Sequence, residues 1–367
     1  MPAEHIKPLT GLRFLAAAWV VLFSYWPHLA GFAAPRMVQK GYLGVELFFV
    51  LSGFILCHVY LQRAGEGGFR YGGFLWARLA RVYPLHIATL AGLGLMGVLA
   101  GAAGLPVDPS VLAWSALPAN LSLTQAWGLA PVAGWNHPSW SISAEWFAYL
   151  CFPLFAAAAW RLRARPYAAL VGALALLAGL YAIFPRLTGF DLTQATIAWG
   201  ALRIVPCFTL GCATYLMWRS GAVNRPRVAA WGAYFSGASA LAAAQFGAAD
   251  MLIVAFFAPL LLCLASLTST GSKLGTARIF VYLGEISYAV YMVCIPWSLL
   301  FVNVAARVIH AQDKLLPWPI WAILVVGVVP VAAAAHHLVE RPAREAMKAW
   351  VSGLPQRTQK AVEGMAA

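Results

Sequence analysis

Charge is what this sequence is short of. Of its 367 residues only 10% are Asp, Glu, Lys or Arg, against about 25% in a soluble domain. That shortage excludes a large soluble enzyme and a disordered scaffold. Acids are scarcer than bases, 12 against 25. The six cysteines (Cys57, Cys151, Cys207, Cys212, Cys263, Cys294) sit in apolar stretches and form no CxxC pair. A metal site and a disulfide framework are therefore not expected, and packing is their default role. No linker, internal repeat, low-complexity tract or second soluble domain interrupts the chain. What remains is apolar: 62% hydrophobic residues and a mean hydropathy of +0.75. The fold class that follows is an all-α integral membrane protein.

A helix needs about 20 apolar residues to cross the hydrocarbon. On that measure the sequence predicts about ten transmembrane helices: 10–32, 42–62, 84–104, 139–160, 166–184, 197–218, 228–247, 250–268, 280–304 and 317–338. Lys7 and Arg13 before an apolar run, with Ala33-Ala34-Pro35 after it, mimic a signal peptide. Trp19 and Trp26 within the run, and further runs along the chain, favour an uncleaved first span. The segment 105–138 is expected as a long extramembrane or partly re-entrant connection. With both termini cytoplasmic, 19 of the 25 Lys and Arg fall on the inner side, Lys273, Arg357 and Lys360 among them, and Arg36, Lys40, Arg186, Arg307 and Lys314 on the outer. Arg203 lies within a span. This is a positive-inside pattern, and it accounts for the basic balance without nucleic acid. Residues 1–345 read as one transmembrane domain and 346–367 as a short polar cytoplasmic tail.

Ionisable residues at membrane depth are costly and mark candidate sites. His28, Glu46, His58, Glu145 and Arg203 fall within spans, and His86 near the inner end of one. In the first span Arg13 precedes Ser24 by eleven residues, about three turns and roughly 16 Å on one face. His28 follows four residues on, beyond Pro27, which frees the carbonyl of Phe23. Taken alone, Ser24 reads better as a helix hydroxyl bonded to a carbonyl one turn back. In a cytoplasmic loop, Arg78 and Arg81 stand three apart beside Tyr83-Pro84. Guanidinium forks there suit a phosphorylated ligand, or equally a lipid head group. Glu46 and Glu145, each near the outer start of a span, suit a hydroxylated acceptor or a general base. Pairing with Arg203 is the structural alternative.

Several blocks in order resemble the acyltransferase 3 family of membrane acyltransferases, from about residue 6 to residue 345. Leu9-Thr10-Gly11-Leu12-Arg13 is similar to the family's opening "DGLR", and 44–54 (GVELFFVLSGF) to its "GVDLFFVLSGF". Arg78, Arg81, Tyr83 and Pro84 match "RxxRxYP". The stretches 120–125 and 140–145 resemble "NLLL…WSLSVE", 286–291 matches "ISYxxY", and Glu340-Arg341-Pro342 matches the closing "ERP".

The resemblance implies a bacterial, multi-pass inner-membrane enzyme that moves an acyl group, acetyl being expected, from cytoplasmic acyl-CoA to a hydroxyl of an extracytoplasmic or lipid-linked glycan. Acyl-CoA is then a co-substrate and no metal is needed. CoA contacts fall on Arg78, Arg81, Tyr83 and Tyr288, and acceptor contacts on Glu46, Trp140 and Ser141. Catalysis falls on Arg13, Ser24, His28 and Glu145. The family's catalytic histidine, eleven residues after the arginine, is Ser24 here, and Cys294 replaces another histidine. Three consequences stand side by side. The chain is inactive, by nature or by substitution at residue 24; or His28 takes the role; or Ser24 carries the acyl group with His28 as its base. A multi-span transporter and a non-catalytic CoA or glycan binder are the competing functions.

Overall fold

The computed structural model describes residues 6–105, 108–269 and 275–352. Their regular structure is helical. In chain order the helices are α1 (Lys7–Tyr25), α2 (Arg36–Gln39), α3 (Gly44–Gly65), α4 (Tyr71–Ala102), α5 (Leu117–Leu121), α6 (Trp140–Leu150), α7 (Phe152–Arg161), α8 (Pro166–Thr188), α9 (Gly200–Arg219), α10 (Pro226–Gln245), α11 (Asp250–Ala255), α12 (Phe257–Ser269), α13 (Arg278–Glu285), α14 (Ser287–Val308), α15 (Trp318–Ala335) and α16 (Arg341–Ser352). Lys273, Arg357 and Lys360, and the tail beyond residue 352, lie outside the described residues.

Among the described residues eight helical spans are long and apolar enough to cross a membrane. A ninth is added if the bent pair His137–Leu150 and Phe152–Arg161 counts as one. Of the ten expected spans, eight or nine therefore stand among the described residues. The difference is 228–247, where α10 has 20 residues, about 30 Å of helix. It is rich in Ala, Gly and Ser and is not among the helices apolar enough to span.

Two expected breaks are absent. The segment 71–83, read as a loop, is the first third of α4, which runs through Pro84 without interruption. The chain's apolar helices also carry Pro185, Pro206, Pro296 and Pro330. A proline removes one N–H from the ladder, and packed neighbours in a membrane bundle re-satisfy the freed carbonyl. At the other end, Pro342 does not stop the last span. The chain widens into a π turn at His336–Glu340 and re-enters α-helix at Arg341. Pro342 follows directly on the π turn, inside one helical run from Trp318 to Trp350. The boundary expected at residue 345 thus falls inside α16.

The chain forms two compact units. The first comprises Met1–Gly67, Cys151–Ala195 and Ala201–Tyr288, the second Gly68–Leu150, Thr196–Gly200 and Ala289–Ala367. In the first, α1 packs against α3, α12 and α13, and α10 against α12. Helices α3 and α9 cross at van der Waals contact of their backbones. A Cβ on Gly53 would stand 2.1 Å from the Phe208 carbonyl oxygen, and one on Gly211 would stand 2.0 Å from that of Val50. Close approach of this kind is how small residues bring membrane helices together. In the second unit, α4 is the axis: α6, the π turn and α16 all pack against it. The connection 105–138 contributes short helical turns, with Trp135 buried against Leu90 and Leu93 of α4.

A side chain at the α3–α9 crossing must force the helices apart. Gly53→Leu is expected to cost about 1–3 kcal/mol, read as a lower thermal midpoint in detergent. Gly92→Leu on α4, where a Cβ meets nothing within 4 Å, should leave the midpoint close to that of the parent.

Candidate active site

The candidate residues fall in both units. In the first, α1 carries Arg13 and Ser24, both half-buried. The helix ends at Tyr25, and Trp26–His28 tightens into a 3₁₀ turn. Pro27 lies in that turn and has no N–H to extend the ladder. The straight line from Arg13 to Ser24 is therefore kept, but its extension to His28 is not. A 3₁₀ turn has 3.0 residues in place of 3.6, which rotates His28 away from the face of a continued α-helix. Tyr288, in the first turn of α14, is buried.

Glu46 and Arg203 are deeply buried, at 0% and 2% exposure, and joined at 2.5 Å through Arg203 Nε. Arg203 Nη1 also donates to the Ala195 carbonyl at 3.0 Å. Of the roles open to Glu46 in the sequence, pairing with Arg203 is the one the structure contains. At the end of the same helices, Asp250 gathers three groups. Lys40 meets it at 2.5 Å, and Tyr42 and Thr193 donate to its second oxygen at 2.8 and 2.6 Å. Lys40, read as a loop cation, is thus tied to the start of α11.

In the second unit, α4 places Arg78 and Arg81 on one helical face, both half-buried. Buried Tyr149 of α6 hydrogen-bonds the Glu145 carboxylate and lies in the electrostatic field of both arginines. The structure so brings together Arg78, Arg81 and Glu145, expected separately from the sequence. Tyr149 itself was missed, although its i+4 spacing from Glu145 was legible. Tyr83 donates to the Leu121 carbonyl at 3.0 Å. Trp76, two residues before Arg78, donates to the Met347 carbonyl of α16 at 3.0 Å, and its ring meets that of Trp350 at 5.4 Å. Arg344 and Lys348 of α16 join the cationic group, with Lys348 in the field of Arg344, Arg78 and Arg81.

Further along α4 lies a buried polar chain. With α4 starting at Tyr71, His86 moves from the expected end of a span to the middle of a helix, where it is fully buried. Its Nε2 faces the Asn120 carbonyl at 2.8 Å. A carbonyl only accepts, so Nε2 carries a proton. Thr89 donates to the His86 carbonyl, and Asn136 donates to Thr89 and to the Met292 carbonyl of α14. Trp140 and Ser141 are both buried. Ser141 donates to the Tyr291 hydroxyl at 2.8 Å, which donates in turn to the Pro138 carbonyl at 2.8 Å. No sequence pattern marked Asn136, which lies in a loop between spans.

The chain matches the family profile described as "Acyltransferase domain" over residues 6–337. It is 30% identical over 331 residues to "Acyltransferase MdmB" of Streptomyces mycarofaciens, covering 80% of this chain and 79% of that protein. It is also 35% identical over 159 residues to "Protein 2 in picA locus" of Rhizobium radiobacter, covering 39% of this chain and 78% of that protein. No solved structure matches.

Removing one member of a buried ion pair leaves the other charge uncompensated, at a cost of about 3–5 kcal/mol. Glu46→Leu alone is expected to lower thermal stability by that order. The double variant Glu46→Leu/Arg203→Met should recover most of the loss, which a double-mutant cycle on the detergent-solubilised protein measures directly.

Proposed function

Since the chain belongs to the acyltransferase 3 family, we propose that it passes the acyl group of a cytoplasmic acyl-CoA to a hydroxyl of a glycan, presented on the outer side or linked to lipid. It is a multi-pass membrane acyltransferase of the non-aminoacyl kind. The donor, the acetyl group, the glycan and the bacterial inner membrane are the proposed part.

The observation that carries the donor reading is the α4 cluster. Two half-buried arginines three residues apart, on one unbroken helix, offer two guanidinium forks at a membrane edge. Such forks match the oxygens of a diphosphate bidentately. They also lie where a strongly anionic donor meets the positive-inside face. Tyr83 flanks them on the same helix. Glu145, within the reach of Tyr149, keeps a carboxylate beside the cations and is the acid–base group nearest to them in the proposal.

The transfer itself needs little. The acceptor oxygen adds to the thioester carbonyl carbon and the C–S bond breaks. The acceptor's proton passes through a base to the leaving thiolate, so an ester and a thiol result. The base is the open part, because Ser24 occupies the family's position and a serine hydroxyl does not take a proton near neutral pH. Ser24 favours a second reading, a chain that binds acyl-CoA without turnover. His28 is the alternative base in unit 1, on its 3₁₀ turn. Within the second unit, Trp140 and Ser141, packed with Tyr291, are the acceptor contacts of this reading.

Purified protein in detergent, given acetyl-CoA, tests the reading. Arg78→Ala and Arg81→Ala should each raise the KM for acetyl-CoA about 10- to 100-fold, the equivalent of one lost charge-assisted contact. Unchanged KM values in both would remove the donor site. Ser24→His should raise turnover, since a positioned base contributes about 10²–10⁴-fold. A parent already active, and silenced by His28→Ala, would move the base to His28.

A further inference from the structure

We propose that His86 is the base of the transfer, and that its Nδ1 takes the proton of the acceptor hydroxyl within the second unit. This rests on the acyl-CoA reading above and fills the role which that reading leaves open.

Three observations carry it. First, the ring is held from one side only. His86 is fully buried, and its Nε2 donates to the Asn120 carbonyl at 2.8 Å. Asn120 is fixed in turn, its Nδ2 donating to the Ala116 carbonyl at 2.9 Å. The other ring nitrogen, Nδ1, is buried and has no hydrogen-bond partner among the described residues. A histidine oriented through one nitrogen and open at the other is the arrangement a general base needs. Among the described residues no carboxylate pairs with the ring. A buried cation without a counter-charge is costly, so the resting ring is neutral and Nδ1 carries the lone pair.

Second, the same hydrogen-bonded chain holds another unpartnered acceptor. Thr89 donates to the His86 carbonyl at 2.8 Å, and Asn136 Nδ2 donates to Thr89 at 3.3 Å and to the Met292 carbonyl at 2.8 Å. That leaves Asn136 Oδ1, buried and without a partner among the described residues. An unpaired buried acceptor costs free energy. Two of them on one chain mark a site whose occupant brings hydrogens. A hydroxylated acceptor does so. A resident water offers the same O–H chemistry and is the competing source.

Third, the position suits the groups already assigned. His86 lies five residues beyond Arg81 on α4, about 7.5 Å of rise. Asn136 shortly precedes Trp140 and Ser141, and its carbonyl accepts from the Ser139 N–H at 2.8 Å. Donor cations, base and acceptor contacts then belong to one unit. In the step, the acceptor oxygen adds to the thioester carbonyl carbon as its proton passes to Nδ1. The C–S bond breaks, and Nδ1 returns the proton to the leaving thiolate.

Two measurements on the full-length protein in detergent test this. Diethyl pyrocarbonate modifies an unprotonated imidazole nitrogen, and peptide mass mapping locates the product. His86 should be modified in the ligand-free protein and shielded by acetyl-CoA. His86→Gln keeps an N–H for the Asn120 carbonyl and loses the base. Its thermal midpoint and its KM for acetyl-CoA should stay near those of the parent, while kcat, read as thiol release, falls about 10²–10⁴-fold. His86→Leu loses both groups and should lower midpoint and kcat together. Unmodified His86 in a folded protein that binds acetyl-CoA overturns the inference and assigns Nδ1 to a resident water. So does a His86→Gln variant with the parent's kcat, or a parent that turns over only after Ser24→His. If Arg78→Ala and Arg81→Ala change neither acetyl-CoA binding nor the shielding, the donor site of the previous section falls and the base stands. A parent that binds no acetyl-CoA removes both.

Discussion

A charge inside hydrocarbon has to meet an opposite charge or give up its ionisation, and the first unit is organised around one such meeting. Arg203 and Glu46, 157 residues apart in the chain, join where neither has solvent to fall back on. The pair ties α3 to α9, and the Gly53–Gly211 crossing on the same two helices lets their backbones touch. Each feature needs the other. Without the glycines the helices stand apart, and the ion pair is stretched in a medium that punishes separation. The Asp250 knot, with Lys40, Tyr42 and Thr193, satisfies polar groups at the end of these helices in the same way.

The second unit solves a different problem on one helix. Helix α4 starts among cations and continues through Pro84 to a fully buried histidine. It therefore carries a cationic surface at one end and a buried, hydrogen-bonded interior further on. The interior is held by groups that point at backbone carbonyls: His86 at Asn120, Asn136 at Met292, Tyr291 at Pro138. A carbonyl fixes the orientation of whatever donates to it, so these side chains have one arrangement available.

Much of this was legible in the sequence, because hydropathy and helical period are local properties. The spans at 42–62, 166–184 and 250–268 correspond to helices in the structure. The ordered blocks from Leu9-Thr10-Gly11-Leu12-Arg13 to Glu340-Arg341-Pro342 pointed to the family to which the chain belongs. Arg78 and Arg81 share a face of α4, as their spacing implied, and Glu145 is half-buried on α6. Two span ends were misplaced. The start expected at residue 84 lies within α4, and the end expected at residue 338 lies in a helical run that continues into α16. The rule that proline stops a helix is a rule about losing one hydrogen bond in water. In a packed membrane bundle, neighbouring groups re-satisfy the carbonyl that a proline frees.

The sequence by itself determined the class, the spans and the motifs, since each depends on residues within a few turns of one another and on a solvent that accepts only apolar surface and closed backbone hydrogen bonds. The tertiary structure decided the partners. Glu46 was as good a candidate for an acceptor as for Arg203 until the helices were packed. Lys348 looked like part of a polar tail until α16 was laid along α4. A charge's role is set by what stands within a few ångströms of it, and in this chain those neighbours come from helices far apart in the sequence, whose meeting no local pattern records.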